Sequence, residues 1–223
     1  QGALQIFLLW RRFSDLPPAP DRIMKKILRV FLLALCLGSF VLPSAGQQTA
    51  VYHDVELQYK TGLDLFNKQK YGAAQKEFEA SLKMDGLSMA TIDNSAFYRA
   101  WCAALLYHAE AEYLFLEYLD QFPESPNRQR AQLELARYFY QQKKYKKSIE
   151  WFERSNPNAL TGDDYSEYYF KTGYAYYKTN EYDKASQAFS KIIDVHSKYN
   201  SAANYYYAHI AYLNGQYETA LKS

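Results

Sequence analysis

The side chains best suited to chemistry are few and scattered. The four histidines are His53, His108, His196 and His209. None has a second histidine, a cysteine or a carboxylate at metal-ligand spacing on a shared face that stands out from chance. His108 falls where an aromatic residue recurs along the chain, so core or turn packing is its expected role. The acidic pairs Glu110/Glu112 and Asp163/Asp164 fall at expected helix starts, where negative charge complements the helix dipole. There is no glycine-rich phosphate loop, HExxH sequence or nucleophile elbow. The expectation is a protein that is not an enzyme, with no catalytic residue, metal ligand or cofactor.

Two cysteines complete the inventory. Cys102 lies in the apolar run WCAALL and reads as a packed structural thiol. Cys36 lies in a leader-like stretch from Met24, MKKILRVFLLALCLGSFVLPSAG. Lys25, Lys26 and Arg29 form its basic start, and Val30 to Leu42 its apolar run. Small residues occupy the −3 and −1 positions of a cut after Gly46. Those three parts make residues 24–46 an expected secretory signal peptide. A membrane anchor is the alternative, but an apolar run of about 13 residues is short of the ~20 that span a bilayer. Lipidation at Cys36 is disfavoured by Leu35 before it. Residues 1–23 read as upstream sequence joined by the choice of start site, a cytoplasmic extension being the alternative. The expected mature chain, residues 47–223, keeps Cys102 alone and no transmembrane helix.

Charge narrows the partners. Of 26 basic and 24 acidic residues, six and two lie in residues 1–46, leaving 20 and 22 beyond. A near-neutral remainder has no electrostatic footprint for nucleic acid.

A phrase then recurs. Tyr71, His108, Tyr145, Tyr182 and Tyr217 are followed three residues on by Ala74, Ala111, Ser148, Ala185 and Ala220. Seven on come Phe78, Phe115, Phe152 and Phe189. Nine before stand Gly62, Ala136, Gly173 and Ala208; in the second unit a shorter turn puts Ala100 there in place of Arg99. Spacings of three, four and seven place such residues on one helix face. Each unit is therefore two helices joined by a polar turn, with small residues where they cross and the phenylalanine filling the gap to the next unit. A unit that cannot bury its own apolar face must stack on its neighbours.

The pattern Gly62…Tyr71…Ala74…Phe78, repeated through Gly173…Tyr182…Ala185…Phe189, resembles the tetratricopeptide repeat over about residues 52–220. The segment FPESPNRQRAQLELARYFYQQKKYKKSIEWF is similar to units of exported envelope proteins of Gram-negative bacteria, such as the Tol–Pal coordinator and the outer-membrane assembly lipoprotein. The resemblance implies an all-α solenoid of stacked antiparallel helix pairs, exported to the periplasm or the periplasmic face of the outer membrane.

Local signals predict helices at 52–68, 71–84, 94–106, 109–121, 126–142, 145–155, 164–179, 182–197, 201–213 and from 217. The units are about 52–86, 94–124, 126–157, 164–198 and 201–223, the last cut short, so more repeats are expected to follow.

Thirteen of the 23 tyrosines lie between residues 165 and 217. In each first helix the face beside the packing residues is expected to line an inner groove at spacing i, i+4, i+7. That predicts Phe97 and Trp101; Leu133, Arg137 and Tyr140; Phe170, Tyr174 and Tyr177; and Tyr205, His209 and Tyr212. Tyrosine and arginine on rigid helices suit recognition of a peptide or protein of the cell envelope. The same tyrosines could instead pack between repeats, and both readings stand. Glycan binding at an outer membrane and a self-assembling array are the other functions this pattern supports.

Overall fold

The structure, a computed structural model, describes residues 56–222. The leader-like stretch, Cys36, His53 and the start of the expected 52–68 helix lie outside the described residues. Ten α-helices follow in chain order: α1 (Leu57–Asn67), α2 (Tyr71–Ser81), α3 (Met89–Leu105), α4 (Ala111–Gln121), α5 (Arg128–Gln141), α6 (Tyr145–Arg154), α7 (Gly162–Lys178), α8 (Tyr182–Ser190), α9 (Asn200–Leu213) and α10 (Tyr217–Lys222), with a 3-10 turn at Pro157–Ala159. They form five antiparallel pairs and no strand occurs among the described residues, so the architecture is the expected α-solenoid.

Several boundaries differ from expectation, and three of the differences have a visible local reason. α3 starts at Met89 rather than 94 because Ser88 caps it, its Oγ accepting from the Thr91 N–H at 3.1 Å. α5 starts at Arg128 rather than Pro126, since the Ser125 Oγ accepts the Asn127 N–H at 3.0 Å and holds a turn first. α8 stops at Ser190 rather than 197. The carbonyls of Ile192 and Ile193 are taken instead by side-chain amides of α9, Asn200 donating to both and Asn204 to Ile193 at 3.1 Å.

The turn inside each unit is built alike. Gln69, Tyr107, Lys143, Asn180 and Gly215 have φ of 58°, 57°, 59°, 62° and 72°. The N–H of the next residue bonds a carbonyl five back, as Lys70 to Leu65 at 2.9 Å and Glu181 to Tyr176 at 2.9 Å. This is the left-handed C-terminal cap of a helix, usually given to glycine. The second turn departs from the others. α3 ends at Leu105 and α4 waits until Ala111, and His108 occupies the place of Lys70 and Glu181 rather than of an aromatic. His108 is exposed, so of its two expected roles the place in the turn holds and core packing does not; its carbonyl accepts the Tyr138 hydroxyl at 2.9 Å.

Small residues do sit at the crossings, but their partner needs correcting. A Cβ on Gly62 would stand 2.7 Å from Phe78 Cε1, and one on Gly173 2.9 Å from Phe189 Cε1. Glycine thus makes room for the phenylalanine of its own unit. Phe78, Phe115, Phe152 and Phe189 are fully buried, each worth roughly 1.5–3 kcal/mol of apolar burial. The expected small-to-small meeting appears in the third unit, where the Ser148 Oγ donates to the Ala136 carbonyl at 3.0 Å. Ala100, also fully buried, holds the crossing place in the second unit.

Units stack by two contacts. Each second helix packs on the next first helix, and consecutive first helices also touch. Second helices do not pack on one another to any comparable extent. First helices therefore form the inner layer, and the side chains they turn away from the second helices line one continuous face.

Candidate functional site

On that inner face a recess of about 310 Å³ opens between α3, α5 and α7. Counted from the small crossing residues Ala100, Ala136 and Gly173, its walls come from positions six and two before and one and five after. α3 supplies Trp101 and Leu105; α5 supplies Arg130, Glu134, Arg137 and Gln141; α7 supplies Glu167 and Lys171, with Asp164 one turn earlier. Tyr107, in the irregular second turn, stands at the edge.

Arg137 is the centre of the charged wall. Its side chain is 13% exposed and its two terminal nitrogens reach Glu134 at 2.8 Å, Asp164 at 2.6 Å and Glu167 at 3.1 Å. Burial pushes its pKa down, but the three carboxylates outweigh that and raise it. Asp164 shows the converse. Burial raises its carboxyl, and the hydrogen bonds and charges of Arg137 and Arg130 more than reverse this, holding it below 3.8. Arg130 binds Glu134 at 2.7 Å and Asp164 at 3.4 Å while its guanidinium lies 4.8 Å from the Trp101 ring centre. Lys171 pairs with Glu167 and covers the Tyr140 ring at 5.4 Å. Three positive and three negative groups thus neutralise one another and tie α5 to α7. Asp164, expected only to complement a helix dipole, also joins two units.

The sequence-predicted residues divide by position. Those one after the crossing residue share the inner face: Trp101 and Arg137 enter the recess, while Tyr174 and His209 continue the stripe beyond it. Of those three before, Phe97 and Leu133 are corrected, while Tyr205 is exposed. Phe97 and Leu133 are each only 2% exposed, and Phe170 is half-buried. One residue turns a helix by about 100°, so the three-before and four-after positions face the gap between first helices, which the next unit fills.

That gap holds a ladder of rings. Tyr140, Tyr145 and Tyr174 form a triangle with centres 5.9–6.0 Å apart. Tyr206 lies 5.2 Å from Tyr174 and 5.0 Å from Tyr177. The Tyr177 hydroxyl shares a 3.2 Å hydrogen bond with His209 Nδ1. Burial, reinforced by Tyr174 and Tyr145, pushes the Tyr140 phenol pKa up. Tyr140, Tyr174 and Tyr177 are half-buried, whereas Tyr205 and Tyr212 are 65% and 61% exposed.

Reading from the sequence missed Arg130, Glu134, Glu167 and Lys171. The available signal was charge: four ionisable residues at the helical spacings 130/134 and 167/171 on two adjacent first helices. Cys102 is fully buried, its thiol pushed up to about 12 by burial, which makes it unreactive. Among the described residues no group of three His, Cys, Asp or Glu side chains is placed to hold a metal ion, and no helix is long and apolar enough to cross a membrane.

With this geometry in hand, the tetratricopeptide-repeat profile matches residues 108–159 and 170–223. Those two stretches are tetratricopeptide repeats. The first pair, α1–α2, lies outside the match but repeats the glycine-to-phenylalanine crossing of α7–α8. Among solved structures, MamA AMB-1 is similar with a TM-score of 0.62 at 14% identity, over 75% of this chain and 86% of that one. MamA from Desulfovibrio magneticus RS-1 gives a TM-score of 0.59 at 15% identity, over 75% and 89%. MamA MSR-1 gives 0.58 at 14%, over 75% and 91%. At such identities the likeness is one of fold. No curated protein matches the chain in sequence.

Proposed function

We propose that the chain is a non-enzymatic scaffold of the bacterial cell envelope, holding a protein or peptide segment along the inner face of its repeats. Protein interaction is the role that a tetratricopeptide array supports. Export rests on the tripartite pattern of residues 24–46 and on the resemblance to envelope repeat proteins. The observation that carries the binding face is the stripe Trp101, Arg137, Tyr174 and His209, one residue after each crossing and hence on one side of four successive first helices. Large planar and arginine side chains on rigid helices lose little entropy on contact.

Co-purification from an envelope extract, with a glycan array run alongside, tests this reading. Capture of a discrete protein that is lost in Trp101→Ala is the expected result. Glycan retention without protein capture, or capture unchanged by Trp101→Ala, would overturn it.

A further inference from the structure

The recess between α3, α5 and α7 has two unlike walls. α3 and the turn after it give an apolar wall, with Trp101, Ala104, Leu105 and Tyr107. α5 and α7 give a charged wall whose six ionised groups sum to zero and are bonded to one another. A charged ligand group would have to break one of those pairs or sit beside them uncompensated. An uncharged ring leaves them intact, and the volume of about 310 Å³ holds one large side chain.

The recess also coincides with the one unit whose turn departs from the rest. In the other units three residues lie between the paired helices, as between Asn67 and Tyr71 or Lys178 and Tyr182, but five lie between Leu105 and Ala111. Tyr107 takes the left-handed place with φ 57° while 63% exposed. A bulky residue there costs about 1 kcal/mol that glycine would not. Leu105 beside it is 37% exposed. Two apolar side chains, Leu105 and Tyr107, are thus held out at the mouth; the left-handed place is common to every turn, and this one is set apart by its greater length and by the exposed ring it carries there. Local departures from the pattern of a repeat concentrate where it does something besides fold.

We infer that this recess is the anchor subsite of the groove, taking one uncharged aromatic side chain of the bound segment, with Leu105 and Tyr107 as its lips. The proposal rests on the binding reading above and adds the class of residue recognised. The ring lies along the α3 wall beside Trp101, its edge towards the paired charges of α5 and α7. Lysine and glutamate side chains are excluded because each would lose solvation and add an uncompensated charge to a wall whose six charges already sum to zero.

The test uses residues 47–223 labelled with nitrogen-15. Trp101 and Trp151 are the tryptophans of that stretch, and a Trp151→Phe variant assigns the Trp101 indole signal, whose buried N–H has no acceptor in the protein. N-acetyl-phenylalaninamide should shift that signal saturably, with N-acetyl-lysinamide and N-acetyl-glutamate amide at least tenfold weaker. Leu105→Asp should abolish the shift. Tyr107→Gly, which relieves the strained turn and so keeps the fold, should weaken it severalfold. No saturable shift with the phenylalanine amide, equal shifts with the charged amides, or full response in Tyr107→Gly would overturn the proposal. The two readings fail separately. If wild type captures its partner and Leu105→Asp captures it equally well, the subsite is wrong and the scaffold stands; if wild type captures nothing, the scaffold itself is wrong.

Discussion

Gly62 and Phe78 are in contact at the crossing of α1 and α2, so close that a methyl group on Gly62 would stand 2.7 Å from Phe78 Cε1. Gly173 and Phe189 repeat the relationship at 2.9 Å. Glycine inside a helix forfeits roughly 0.5–1 kcal/mol relative to alanine, so its presence twice at one place needs a steric cause, and the ring supplies it.

Gly62→Ala should therefore destabilise the protein by about 1–2 kcal/mol, overpacking outweighing the gain in helix propensity. Gly72, whose added Cβ would meet only Leu106 Cδ1 at 3.9 Å, is the internal control. Gly72→Ala should stabilise by a few tenths of a kcal/mol, up to about 0.5. Urea midpoints of the two variants check the opposite signs. Pairing Gly62→Ala with Phe78→Leu should return part of the loss, because the smaller side chain vacates the contested volume.

The ionic tie between units predicts an acid-dependent effect. Arg137→Met leaves Glu134, which is 7% exposed, and two further carboxylates without their shared cation. The expected cost at neutral pH is about 2 kcal/mol. Asp164 has its carboxyl held below 3.8 in the folded chain. A lowered carboxylate contributes stability that is present above its unfolded value and lost as pH falls through the folded one. Wild type should thus lose more stability than Arg137→Met as pH falls from neutral through the carboxylate range, narrowing the difference between them. Unfolding curves across that range read it. A difference that stays constant would mean that Asp164 does not feel Arg137.

What the sequence revealed and what it hid have a common physical origin. Helix pairing was legible because buried side chains repeat at fixed spacing, and burial is what selects them; Ala100 in place of Arg99 follows from that alone. Most of the five left-handed turn residues were not, because only Asn180 and Gly215 are of the types that mark such a turn, while Gln69, Tyr107 and Lys143 adopt it without the usual residue type. The groove was misread by one residue. Phe97 and Leu133 are apolar and adjoin the packing set, and nothing in their type says which way the next unit lies. Glu134 and Lys171, one position further around, are charged and look like solvated surface until the partner helix is placed beside them.

The tyrosine ladder decides how the groove can be tested. Tyr174 touches Tyr140, Tyr145 and Tyr206, and Tyr177 touches Tyr182, Tyr206 and His209. Removing both rings, as Tyr174→Ala with Tyr177→Ala, opens a cavity between α7 and α9, and half-buried rings of this size should cost together about 3–5 kcal/mol. Loss of partner capture in that variant would then reflect lost packing between units rather than a lost binding contact. Tyr177→Phe separates the two effects. It keeps every ring contact and removes only the hydroxyl that meets His209 at 3.2 Å, so its cost in thermal unfolding should be no more than about 1 kcal/mol. Trp101 also packs on Phe66, Phe97 and Tyr98, so its variant must be shown to stay folded. If capture survives Tyr177→Phe and Tyr174→Phe but is lost in a Trp101→Ala protein that still unfolds cooperatively well above the assay temperature, recognition lies at the α3 end of the stripe and the ladder is structural. If both phenylalanine variants lose capture while unfolding as wild type does, the phenol groups themselves face the partner, and the binding face extends over α7 and α9.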